Sequence, residues 1–186
     1  MNEARARAAT RCTARLLLRP FQDADLDALY AIQGDTGHMR YTYSPSSREA
    51  CREWLLRHEA QRAEQGLAPW SVLDRSSGRI LGWGGLCIDP DLPDWGPEVI
   101  YFIDRSRGGR GFATELVGEA LAHAFLDLDL PAVTAFAMRE NLASQRVLLR
   151  SGFRPRGFEQ SLDRLRFELS RACWHRLQAD RGAGHP

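Results

Sequence analysis

The stretch Arg107-Gly108-Gly109-Arg110-Gly111-Phe112-Ala113-Thr114 lies between a β-like run, Glu98 to Asp104, and a long helical pattern that begins near Gly111. Glycines at 108, 109 and 111 let the backbone take positive φ and approach a ligand closely, so successive amides can converge on one cluster of anionic oxygens. A helix N-terminus behind them adds unpaired donors and partial positive charge. The same residues would also make a plain strand-to-helix turn, so the rest of the chain has to separate the two readings.

Spacing excludes two common phosphate sites. A P-loop ends in Gly-Lys-Ser or Gly-Lys-Thr, and this chain contains no lysine. A dinucleotide fingerprint needs a third glycine where Thr114 stands, with an acidic residue about 20 positions on at the end of the next strand. Here the strand-like run Pro131 to Met138 ends in Arg139.

Periodicity supplies the order of elements. Arg15 to Pro20 is a first strand, and Asp23 to Gln33 is a helix with Leu26, Leu29 and Tyr30 on one face. Ser46-Ser47-Arg48-Glu49 has the form of a capping box, opening a helix that Gly66 ends. Pro69 to Asp74 and Arg79 to Ile88 pair as a hairpin across Ser76-Ser77-Gly78, and the Pro-rich run Asp89 to Pro97 is a loop. After the Glu98 strand come a helix through Val117, Leu121 and Phe125, the Ala132 to Met138 strand, a helix from Leu142, and strands near Phe153 and Leu165 to Leu169. Strands that first meander and then alternate with helices predict an α/β domain: a mixed sheet of about 6–7 strands with helices on both faces. Its expected bounds are 14–177, with 1–13 and 178–186 as flexible tails.

Composition narrows the class of partner. The 186 residues carry 25 basic and 24 acidic side chains, a formal net charge of +1, so no global field argues for nucleic acid or an anionic membrane. All the basic residues are arginine, which suits bidentate phosphate contacts and equally reflects a coding bias. Cysteines at 12, 51, 87 and 173 form no close pair and no cluster with the scattered histidines, so neither zinc nor a disulfide is expected. Reduced thiols and the lack of a signal-like or membrane-length apolar run point to a cytoplasmic protein.

Three further segments carry a resemblance: Asn141-Leu142-Ala143-Ser144, the run Val147 to Phe153 with its Ser151-Gly152-Phe153 ending, and Ala14 to Pro20 followed by Asp25-Leu26. Together with Gly108 to Ala113 they resemble the GNAT acyl-CoA N-acetyltransferases, in particular the Rim-like branch that acetylates ribosomal-protein N-termini and many other amines. The family's pyrophosphate turn reads Gln or Arg, two free positions, Gly, one free position, then Gly or Ala. Gly111 and Ala113 match it, whereas Gly108 stands at the Gln or Arg position. The resemblance covers roughly Ala14 to Trp174 and rests on the order and separation of the segments.

What the resemblance implies is transfer of an acetyl group from acetyl-CoA to a primary amine, a peptide N-terminus or a small molecule, by direct attack on the thioester, in a monomer or homodimer. The main chain of Tyr101, Phe102 and Ile103 would bond the pantetheine arm as an added strand would, with the sheet splaying beyond Ile103. The pyrophosphate would rest on Gly108, Gly109, Arg110, Gly111, Phe112, Ala113 and Thr114. Glu98 is the expected general base, directly or through a water, with a merely structural strand glutamate as the alternative. The family's usual tyrosine acid, seven residues after Asn141, is replaced by Leu148, which leaves Ser144 as donor or the thiolate leaving unaided. Asn141 either contacts the cofactor or caps its helix, and Ser144 is a second contact. Trp95, Tyr41 and Tyr43 are the expected acceptor wall, while Trp70 and Trp83 belong to the core. The alternative function is a non-catalytic acyl-CoA sensor on the same fold.

Overall fold

A computed structural model of the chain describes residues 10–89 and 92–183, with the backbone alone for 181–183. Two short strands, β1 (Arg11–Cys12) and β2 (Leu16–Arg19), open it as an antiparallel pair. A 3-10 turn at Asp23–Asp25 leads into α1 (Leu26–Gln33), whose Leu26 and Leu29 are buried. Asp25 is only 3% exposed. Both terminal nitrogens of Arg19 donate to its carboxylate at 2.6 Å, and the Ser71 hydroxyl donates at 2.7 Å. The buried charge is therefore paired, as burial requires, and the knot fixes α1 to β2 and to β3 (Pro69–Asp74).

The second helix, α2 (Arg48–Gln65), starts one residue later than the Ser46–Glu49 box predicts. Ser47, extended at φ −156°, is the cap, and its hydroxyl accepts from the Ala50 amide at 3.1 Å. Glu49 then sits in the first turn, where a carboxylate favours the helix's positive end. Gly66 ends the helix in the left-handed region at φ 73°, as its position predicts.

The remaining elements are β4 (Ile80–Cys87), β5 (Glu98–Ile103), α3 (Phe112–Ala122), β6 (Ala132–Ala137), α4 (Leu142–Arg150), β7 (Arg154–Glu159), β8 (Arg164–Ser170) and α5 (Arg171–Ala183). The sheet runs β1-β2-β3-β4-β5-β6-β8-β7, and every neighbouring pair is antiparallel except β5 and β6. Eight strands stand against the expected six or seven; the extra one is β1, inside the stretch 1–13 expected as an arm, of which residues 1–9 lie outside the described residues. The polar run from Gln178 continues α5 as far as Ala183, so 178–183 is helical rather than a tail, and 184–186 lie outside the described residues.

Strand alternation sorts the apolar side chains to two faces. Leu116, Val117, Ala120 and Leu121 of α3 pack with Val99, Val133 and Phe167 on one face. On the other, Leu26 and Leu29 of α1 and Cys51 and Leu55 of α2 pack with Trp83 and Phe102. Trp70 and Trp83 are both 1% exposed, in keeping with their expected core role. Each fully buried Leu or Phe contributes roughly 1.5–3 kcal/mol, so the helices are held by these faces more than by their own propensity.

Candidate active site

β5 and β6 are paired at one register position, Glu98 opposite Thr134, with the Thr134 amide donating to the Pro97 carbonyl at 3.0 Å. Beyond it the strands part. β5 uses its even-numbered residues to bond β4: the Asp104 amide donates to the Leu81 carbonyl at 2.7 Å, and the Phe102 and Ile100 carbonyls lie against Gly82 and Gly84. The Val99 amide belongs to the Glu98–Thr134 pair, and alternation then turns the N–H and C=O groups of Tyr101 and Ile103 toward the gap. Two expectations change. The splay opens past the Val99 amide rather than beyond Ile103, and the Phe102 main chain is engaged with β4, leaving residues 101 and 103 as the open ladder.

The gap widens into a cavity of about 790 Å³. At one end lie Gly108, Gly109 and Ala113 of the glycine-rich turn. Gly109 (φ 74°) and Gly111 (φ 82°) both take the left-handed conformation, and the Gly111 carbonyl accepts the first bond of α3 from Glu115 at 3.0 Å. That start leaves the amides of Phe112, Ala113 and Thr114 as the unpaired donors of the helix N-terminus. The Gly108 amide already donates to the Arg105 carbonyl at 3.1 Å, so it is not available as an anion donor.

Arg110, Gly111, Phe112 and Thr114 are not among the cavity-lining residues. Phe112 is 7% exposed and belongs to the core, and Arg110 offers its carbonyl to another side chain. That side chain is Arg15, which the sequence reading missed. Its Nη1 donates to the Arg110 carbonyl at 2.8 Å and its Nε to Glu115 Oε2 at 2.7 Å, while its guanidinium lies 4.6 Å from the Phe112 ring centroid. Arg15 thus pins the turn to β2. No local signal reveals this, because its partners are 95 and 100 positions away.

Glu98 lies on the cavity wall and is buried. Burial pushes its carboxyl up from 4.5 to about 7, the Asp89 carboxylate adds to the rise, and Arg164 and the Cys87 thiol oppose it. Cys87 faces Glu98 across the β4–β5 pair, its Sγ 3.8 Å from Oε1. Burial and the neighbouring Glu98 and Asp89 carboxylates raise the Cys87 thiol well above its ordinary range, so it stays protonated and donates. A carboxyl that titrates near neutrality in a cavity can take a proton at working pH.

Of the expected acceptor wall, Tyr41 and Trp95 line the cavity; Tyr43 does not. It stacks on Trp54 at 5.6 Å and is 45% exposed. Trp95 meets Phe136 edge-on at 5.5 Å, under the Arg166 guanidinium at 5.4 Å, so the loop is braced against β6 and β8. Arg40, Arg105 and Arg164 add three cations to the lining that the sequence reading did not single out.

Across the gap, Asn141 caps α4, its Oδ1 accepting from the Ser144 amide at 3.1 Å. The capping role is therefore realised, and the residue also borders the cavity. The Ser144 hydroxyl lies 2.9 Å from the Tyr101 hydroxyl. The side chain of Tyr101, as distinct from its main chain, was missed in the sequence; strand alternation alone would have put it on the face shared with Val99 and Ile103.

The family model described as an acetyltransferase (GNAT) domain matches residues 15–154. A Bacillus subtilis protein described as an uncharacterized N-acetyltransferase, YoaA, is 26% identical over 148 residues, which cover 78% of this chain and 82% of that protein. An acetyltransferase from Agrobacterium tumefaciens superposes with a TM-score of 0.76 at 21% identity, over 86% of this chain and 93% of that one. RimJ of Mycobacterium smegmatis, solved in complex with CoA-disulfide, superposes with a TM-score of 0.72 at 21% identity, over 89% of this chain and 88% of that one. Among the described residues no helix is long and apolar enough to cross a membrane.

Proposed function

The chain belongs to the GNAT acetyltransferases, and from that premise we propose that it moves an acetyl group from acetyl-CoA to a primary amine by direct attack on the thioester. The observation that carries this reading is the join of three features in one cavity: an open strand ladder at Tyr101 and Ile103, a glycine-rich turn at a helix start, and a buried carboxyl titrating near 7. A coenzyme A arm fits such a ladder as an added strand, with its diphosphate at the helix-start amides of residues 112–114 and the Gly109 turn. That the RimJ neighbour was solved in complex with CoA-disulfide supports coenzyme A as the cofactor.

Acetyl-CoA supplies an activated acyl carbon, and the protein supplies position and proton transfer. Glu98 stands where the incoming amine would shed its proton, directly or through a water. An α-amine with a pKa near 8 is about a tenth neutral at pH 7, whereas a lysine near 10.4 is under about a thousandth neutral. A base that is itself half protonated at pH 7 suits the easier acceptor, so a peptide N-terminus or small α-amine is the preferred class, bordered by Tyr41 and Trp95. The four cysteines are free, which fits a cytoplasmic setting.

Thiol release from acetyl-CoA against a panel of N-terminal peptides, amino acids and small amines tests the proposal. Turnover with at least one α-amine, exceeding that with lysine-only acceptors, is expected. Tight coenzyme A binding without release against any acceptor would favour the sensor reading instead.

A further inference from the structure

Resting on that reading of the cavity, we propose that the Tyr101 hydroxyl is the proton donor to the departing thiolate, with Ser144 as the residue that aims it. Tyr101 and Ser144 come from opposite sides of the open gap, β5 on one and α4, which follows β6, on the other. Where the two strands no longer pair, their hydroxyls meet at 2.9 Å, and the tyrosine also reaches the Ser144 carbonyl at 3.4 Å. Both residues line the cavity, beside the ladder that would carry the thioester.

The neighbouring strand leaves room for the base of this side chain. Gly84 stands opposite Tyr101 in the β4–β5 register, and a Cβ added there would sit 2.6 Å from the tyrosine Cβ. The ring is also held from the far side, since the Asn141 cap fixes the first turn of α4 and with it Ser144. Burial raises the phenol to about 12, opposed by the Ser144 hydroxyl, so it is fully protonated at any working pH.

Acidity decides which of the two hydroxyls gives the proton. An unperturbed phenol has a pKa near 10, and an aliphatic hydroxyl is a far weaker acid, close to water itself. Even after its rise, Tyr101 is the stronger acid of the two. Leu148, buried and aliphatic, offers no proton from the next turn of α4. As the tetrahedral adduct collapses, the carbon–sulfur bond breaks, its electron pair goes to sulfur, and sulfur takes the Tyr101 proton. Ser144 then donates to the phenolate until solvent returns the proton, while the proton shed by the amine leaves through Glu98. The sum is amide plus free thiol, with no other reactant required.

Tyr101→Phe and Ser144→Ala, with Ser144→Thr as a rescue that restores a hydroxyl, test the assignment by steady-state kinetics and coenzyme A titration. Loss of a positioned acid is expected to lower kcat of Tyr101→Phe about 100-fold, within the usual range for general acid catalysis. KM for both substrates, the coenzyme A Kd and the melting temperature should stay within about threefold or a few degrees. Ser144→Ala should lose less, and Ser144→Thr should recover part of it. A Tyr101→Phe variant as fast as the wild type overturns the proposal while leaving acetyl transfer intact. So does one whose coenzyme A affinity falls along with its kcat, because the hydroxyl would then hold the cofactor rather than serve the sulfur. A wild-type chain that releases no thiol with any acceptor overturns both the transfer reading and this one.

Discussion

At the scale of single residues, the Glu98 carboxyl links activity to stability with opposite signs. Its folded value of about 7 lies above the ordinary 4.5, so the folded chain holds this proton more tightly than the unfolded chain does. The stabilisation is complete below about pH 4.5 and is lost as pH rises through about 7. Across that window the carboxylate costs on the order of 3 kcal/mol. Glu98→Gln removes the titration, so it should match the wild type in melting temperature near pH 4 and exceed it by several degrees at pH 8. Turnover should behave the other way: the wild-type rate rises with pH to a plateau above about 7, while Glu98→Gln is slow and loses that limb. Paired melts and pH–rate profiles measure both, and a limb that survives in the variant would remove Glu98 as the base. Glu98 was legible in the sequence only as a strand glutamate in a suggestive place. Its perturbation comes first from burial and then from Asp89, against Arg164 and Cys87, and the packing that brings these groups together is a property of the folded sheet.

Among elements, the glycine-rich turn and β5 divide what the sequence discloses from what it conceals. A strand, three glycines and an apolar helical stripe are local facts, and the strand–turn–helix follows from them. Which β5 amides are free depends on a partner strand 11 or more positions away, so Phe102 was expected on the ladder although its main chain belongs to β4. Arg15 and Tyr101 act through contacts 95 and 43 positions apart, beyond any local pattern. Gly111 gives the element-level test. At φ 82° any side chain is strained, by roughly 1–2 kcal/mol, and Gly111→Ala and Gly111→Glu share that strain. Only the glutamate adds a negative charge beside the anion-binding amides. Calorimetric titration should find coenzyme A binding weakened a few-fold by alanine and at least 100-fold by glutamate, and equal losses would assign the effect to backbone strain alone.

On the scale of the whole molecule, the sheet is close to being two sheets, since β1–β5 and β6–β8 share one pair of residues at Glu98 and Thr134. The core beneath them is not divided. Leu16, Trp70 and Val99 from the first half pack in the same cluster as Val133, Ala135 and Phe167 from the second, with α3 between them. A gap in the hydrogen-bond ladder over a continuous apolar core predicts a molecule that opens locally at the gap yet unfolds as one unit. Calorimetry of the ligand-free chain should therefore give a single transition, with the calorimetric and van't Hoff enthalpies equal. Coenzyme A, binding the folded state alone, should add about 2.7 kcal/mol at 100-fold saturation. That amounts to a rise of roughly 5–10 °C for a chain of this length. Hydrogen exchange measured alongside should slow at the amides of Tyr101 and Ile103, which face the gap, and stay unchanged at Phe102, already bonded to β4. Two transitions, of which ligand moves one, would mean that the halves are separate folding units joined by the ligand. The single core that holds Glu98, Tyr101 and the glycine-rich turn in fixed relation would then be the wrong description of this chain.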